Sequence, residues 1–126
     1  MRHVNALEAD CEFDDGDPPG YRSASLHLTR ALDATSLAVK AFELPPGEAL
    51  CPYHYEYEEE WLIVLEGSVT LRTPDGEQRL GKGDVVAFPA GPAGAHKVFG
   101  AGEHAARVIM FSSAREPAVA VYPDSD

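Results

Sequence analysis

The chain is short of the features that hold small secreted proteins together. Two cysteines, Cys11 and Cys51, in 126 residues allow at most one bridge, so a disulfide scaffold is excluded and both are read as reduced thiols. No apolar run approaches the roughly 18 residues that a membrane helix needs. Met1 to Asn5 opens no apolar signal core, and the cytoplasm is the expected compartment. Basic residues are also scarce: ten Lys and Arg are scattered among twenty-one Asp and Glu, for a net charge of −11. Nucleic acid and anionic membranes are therefore not expected as partners, because both are gripped by clustered Lys and Arg. An acidic small molecule stays open, since one pocket can be locally positive. There is no Ser/His/Asp elbow, phosphate loop or CxxC pair, which leaves hydrolase and nucleotide-binding readings without support. A long apolar stripe of helical period is missing as well; Thr29 to Leu37 has room for a helical turn at most.

What is present is β-structure. A hydrophobic content of 44% supports one core, and a chain of this length buries roughly two-thirds of its unfolded surface. Ten prolines and eleven glycines are spread along the chain, as turns between short strands would require. Residues 1–20 form an acidic N-terminal arm: Glu8 to Gly20 is rich in Asp and ends in Pro18, Pro19 and Gly20, which oppose a helix. Residues 21–126 are expected to make a single barrel domain. Alternation places strands at Tyr21 to Leu28 and at Leu37 to Leu44, with Leu37, Val39 and Ala41 opposite Lys40, Phe42 and Leu44. Trp61 to Leu65 reads as a strand buried on both faces, with Trp61 in the core. Further strands follow at Ser68 to Arg72, Glu77 to Leu80, Val85 to Phe88, His96 to Phe99 and Ala106 to Phe111. Thr73-Pro74-Asp75-Gly76 is a hairpin turn. Eight or more short strands at regular spacing predict an all-β sandwich or barrel.

One stretch concentrates potential metal ligands. His54 and Glu56 are two apart, so on a strand they share a side. On a straight strand Glu60 would lie ~20 Å beyond His54, whereas metal donors must sit within about 2.0–2.2 Å of one centre. The acidic run Tyr57-Glu58-Glu59 is the expected bend that returns Glu60 to the pair. His96, after the loop Pro89 to Gly94, is the expected contributor from elsewhere in the chain. Two imidazoles with one or two carboxylates suit iron, manganese, nickel, cobalt or zinc without choosing among them. Cys51, close before His54, has the opposite strand parity and is read as a small half-buried residue. Tyr53, Tyr55 and Tyr57 have the parity that faces away from the ligands, and His3, His27 and His104 fall outside any pattern.

These residues resemble the two motifs of the cupin superfamily. Gly47, His54, Glu56, Glu60 and Gly67 fall on the first motif, with six residues instead of five after Gly47. Gly83, Pro89, Gly91 and His96 fall on the second, with four residues instead of two before the histidine and Gly100 in place of an asparagine. The likeness extends to small single-domain bacterial cupins. The resemblance implies a double-stranded β-helix, or jelly-roll barrel, with His54, Glu60 and His96 as ligands of one divalent transition metal. Glu56 stands where that family has a second histidine. It is either a fourth, oxygen ligand or a non-ligand acting as a catalytic general base. Three functions fit: a metal-binding enzyme acting on a small polar metabolite by oxygenation, isomerisation or lyase chemistry; a small-molecule-binding or sensing cupin without catalysis; and a structural barrel without metal. A homodimer is expected, paired through sheet faces or through exchange of the arm before Tyr21 and the tail from Val119 to Val121.

Overall fold

A computed structural model describes residues 1–114 and 119–124. The chain opens with a turn at Asn5–Ala9, followed by two short strands, β1 (Glu12–Phe13) and β2 (Ala24–His27). A single helical turn, α1 (Leu28–Ala31), leads into β3 (Leu37–Leu44). Then come β4 (Tyr55–Glu56), β5 (Glu60–Glu66), β6 (Ser68–Thr73), β7 (Gly76–Gly81) and β8 (Val85–Phe88). A 3-10 turn at Pro92–Gly94 precedes β9 (Lys97–Gly100), β10 (Ala106–Ser113) and β11 (Ala120–Val121). One sheet has the order β1-β2-β3-β10-β5-β8; a second is β7-β6-β9; β11 and β4 form a third, two-stranded pair. Nearly all of the regular structure is β, wound as a jelly roll.

The core lies between the sheets and is built from one parity of each strand. Leu44 of β3, Leu62 and Val64 of β5, Val69 and Leu71 of β6, and Val108 of β10 are essentially inaccessible to solvent. β10 runs through the middle of the large sheet, so Met110 lies opposite both Lys40 and Leu62. The β5–β6 turn needs its glycine: Gly67 has φ of 75°, and a Cβ there would stand 2.9 Å from the Ala106 Cα. Such a position penalises any side chain.

Several local expectations are corrected. The Trp61 to Leu65 run is not buried on both faces; Leu62 and Val64 are buried, while Trp61, Ile63 and Leu65 are only half-buried. Trp61 therefore lies outside the core, on the other face of the sheet, stacked on Phe111 at 5.8 Å between centroids. The apolar residues of β5 reflect one core face plus one covered face. Leu28 belongs to the helical turn, not to the preceding strand, because His27 caps it by accepting from the Arg30 N–H. The tail pairs within its own chain, Ala120 opposite Glu56 and Val121 opposite Tyr55. None of the helices among the described residues is long and apolar enough to cross a membrane.

Candidate metal centre

Two backbone hydrogen bonds bring the distant halves of the site together. The His54 N–H donates to the His96 carbonyl at 3.1 Å, and the His96 N–H donates to the His54 carbonyl at 2.8 Å. This antiparallel bridge stands outside the named strands and holds the imidazole centroids 4.7 Å apart. The chain bends at Tyr57 and Glu58, where the acidic run predicted a reversal, and β5 starts at Glu60. Glu60 is thereby carried back to the histidines: ligand atoms of His54, Glu60 and His96 all lie within 4.8 Å of one another.

The rings are held for coordination through one nitrogen. The Nδ1 of His54 lies 3.0 Å from the Pro52 carbonyl, and that of His96 lies 2.7 Å from the Gly94 carbonyl. A carbonyl can only accept, so each Nδ1 carries the proton and each Nε2 presents a lone pair. This backbone anchoring of the remote nitrogen is the support that metal-ligating histidines ordinarily have. Phe88 stacks on the His96 ring at 3.7 Å and 11°, and it does so because Phe88 pairs with Glu60 across β5 and β8. The His96 Nε2 meets the Glu60 Oε1 at 2.9 Å. With the proton on Nδ1, two lone-pair-bearing atoms face each other, an arrangement that a cation between them, a proton or a metal, would satisfy. The donor set of two imidazole nitrogens and a carboxylate oxygen fits a divalent transition metal.

The two carboxylates behave differently. Burial pulls the Glu60 carboxyl upward, but its hydrogen bonds to His96 and Glu56 and the nearby histidines outweigh it, and the net shift is downward. Glu56 is pushed up to about 7, by burial first, then by the charge of Glu60 beside it and the hydrogen bond they share. Burial and the neighbouring His96 lower the His54 imidazole, consistent with a ring kept neutral for coordination. Glu56 lines the cavity above the three donors but is outside their converging group. Cys51 also sits on the cavity wall, solvent-exposed and outside that group.

The cavity measures about 220 Å³ and is walled by Phe42, Leu50, Val98 and Met110 around the polar end. Among the tyrosines of even spacing, Tyr53 is buried beneath the Arg72 guanidinium at 3.9 Å, whereas Tyr57 is exposed. Sequence reasoning passed over three contributors. Phe88 and the Gly94 carbonyl carry no sequence signal of their own. Lys40, on the cavity wall, did carry one, since it shares a parity with the inward residues of β3.

Comparison with known proteins supplies the remaining findings. Residues 41–112 match the family model of the cupin domain. The chain is 26% identical over 98 residues to the tetracenomycin polyketide synthase protein TcmJ of Streptomyces glaucescens, an alignment that covers 78% of this chain and 64% of TcmJ. It therefore spans less than two-thirds of that curated relative. A sugar phosphate isomerase from a cupin superfamily of Silicibacter pomeroyi superposes with a TM-score of 0.86 at 24% identity, covering 99% of this chain and 83% of the other. The polyketide cyclase RemF of Streptomyces resistomycificus superposes with a TM-score of 0.74 at 23% identity, covering 97% and 86%. At those identities the two structures establish the shared fold.

Proposed function

Because this chain belongs to the cupin family, we propose that it is a metal-dependent enzyme acting on a small polar metabolite by proton transfer, in the manner of an isomerase or lyase. The observation that carries this reading is the convergence of His54, Glu60 and His96 with both Nδ1 atoms tied to backbone carbonyls. These three residues would hold the ion. When bound, a divalent ion supplies Lewis acidity, polarising a substrate carbonyl or carboxylate. Glu56, the remaining carboxylate on the cavity wall, is placed to take up and return a substrate proton. Phe42, Leu50 and Met110 give the rest of the wall an apolar lining. A carboxyl on the wall beside the three donors, but outside their converging group, favours proton transfer over oxygenation. The isomerase and cyclase names of structural relatives agree with this range of chemistry.

The test is elemental analysis of protein purified without chelator or nickel resin. The wild type should carry about one equivalent of a transition metal, His96→Ala should lose it, and Glu58→Ala should retain it. Glu58 is engaged elsewhere, accepting from the Ser113 hydroxyl. Less than about a tenth of an equivalent in the wild type, with no thermal shift on adding iron, manganese or zinc, would sink the proposal. Retention by His96→Ala with loss in Glu58→Ala would show a different ligand register.

A further inference from the structure

Lys40 occupies a position where the strand pattern places apolar side chains. On β3, Ala38 and Phe42 line the cavity and Leu44 is fully buried, so the even-numbered positions turn inward. Lys40 has the same parity, lines the same cavity and faces Met110 across the sheet. An inward lysine is unfavourable unless its ammonium reaches water or a negative partner. The residue is exposed, so its ammonium reaches water while the side chain lines the cavity. Among the described residues no carboxylate oxygen lies within 4 Å of the Lys40 ammonium, so none neutralises it. Lys97 also borders the cavity, but its ammonium lies over the Tyr21 ring at 5.4 Å.

We propose that Lys40 is the anion-binding residue of this cavity and that its ligand is a small carboxylate with an apolar body. The inference rests on the reading of the site as a small-molecule centre and names the ligand class. The chain as a whole carries a net charge of −11 and repels anions at a distance. Capture of an acid therefore needs a local cation. Glu56 and Glu60 together balance a divalent ion, and with Lys97 drawn over Tyr21, Lys40 is the cation free to meet a monoanion. The wall between the charged ends is Phe42, Leu50, Val98 and Met110, which suits hydrocarbon or a ring. A cavity of about 220 Å³ accommodates one aromatic ring with a short acid arm, because a dry cavity of about 150 Å³ already admits benzene.

Phenylacetate and its neutral isostere phenylacetamide are the probes, titrated by calorimetry into the full chain, both zinc-loaded and metal-free. The variants are Lys40→Met, which keeps the stem and removes the charge, and Lys40→Arg, which keeps the charge. Phenylacetate should bind the wild type more tightly than the amide. Lys40→Met should weaken phenylacetate roughly 10-fold or more, leave the amide unchanged, and retain the wild-type zinc content. Lys40→Arg should restore most of the loss. Equal phenylacetate affinity in wild type and Lys40→Met, or no saturable binding to the wild type, overturns the proposal. Failure of the metal reading shows separately, as absence of zinc uptake by the wild type. The metal-free comparison still reports on Lys40, because Glu56 and Glu60 repel the acid equally in both proteins.

Discussion

Gly94→Ala tests whether the loop before His96 orients the metal centre. Gly94 is buried, and its carbonyl accepts from the His96 Nδ1–H at 2.7 Å. A Cβ added there would stand 1.8 Å from the Pro89 carbonyl oxygen and 2.9 Å from the Pro89 carbonyl carbon. Non-bonded atoms of this kind rest near 3.5 Å, so backbone must move by more than about 1 Å. Overpacking costs about 1–3 kcal/mol, and the upper end applies because no flexible side chain can yield. About 3 kcal/mol in a domain of this size lowers Tm by roughly 10–15 °C. The displaced carbonyl also frees the His96 ring, so metal affinity falls with stability. Gly91→Ala is the comparison: its φ of 86° and ψ of −171° suit glycine alone, but nothing stands within 4 Å of the added Cβ, so the cost is conformational alone, about 1–3 kcal/mol, with the Gly94 carbonyl left on His96. Thermal melts and zinc titrations of both variants decide the matter. If Gly94→Ala melts within a few degrees of the wild type and binds zinc equally well, the loop is looser than its geometry indicates and does not orient His96.

Gly100→Asn restores the residue of the second cupin motif, yet it should destabilise by at least about 3 kcal/mol, because a Cβ at Gly100 meets the Pro45 carbonyl oxygen at 2.1 Å. Denaturant melts read this directly, and wild-type stability would refute it. Leu62→Ala removes a fully buried side chain from the core and should cost about 2–5 kcal/mol by the same assay; a loss below 1 kcal/mol would mean that the core there collapses around the gap. In metal-free protein Glu56 titrates higher when folded, at about 7, than its ordinary 4.5. Its stabilising contribution is therefore present below that ordinary value and lost as pH rises through 7. The difference in stability between Glu56→Gln and wild type should accordingly move in favour of the variant from pH 5 to 8, by about 1 kcal/mol after solvent screening, and a pH-independent difference would refute the shift. Glu56→Gln should also keep wild-type metal content by elemental analysis, and loss comparable to that in His96→Ala would make Glu56 a ligand.

The barrel and the half-site at His54 to Glu60 were legible because each rests on a local rule. Alternation in Leu37 to Leu44 and the turn residues Pro74 to Gly76 set strands and hairpin without reference to the rest of the chain. The bend at Tyr57 and Glu58 followed from the reach of a strand alone. What was illegible depends on contacts between distant segments. Trp61 looks like a core residue in the run Trp61 to Leu65, and only the pairing of β5 with β10 shows that it stacks on Phe111 outside the core. The His54–His96 bridge lies outside regular strands, so no periodicity announces it. Lys40 is the intermediate case: its parity was readable, but the cavity that gives that parity meaning is formed by several strands together.

The departures from the family's motifs have local causes in this chain. The extra residues before His96 form the 3-10 turn Pro92–Gly94, which ends with the Gly94 carbonyl on the His96 Nδ1. The added length thus preserves the ring's orientation. Gly100 replaces asparagine where Pro45 and Pro46 approach so closely that no side chain fits, and its backbone donates to the Glu48 carbonyl and accepts from the Gly47 N–H. Glu56 follows the same logic. A neutral imidazole there would add a third nitrogen, and a fourth donor, to the converging group. The carboxyl instead shares a hydrogen bond with Glu60 and stays on the cavity wall. A centre with three protein donors keeps a position open to ligand, and the same substitution places a carboxyl beside that opening. One change in the motif therefore accounts for both features on which the proposed proton transfer rests.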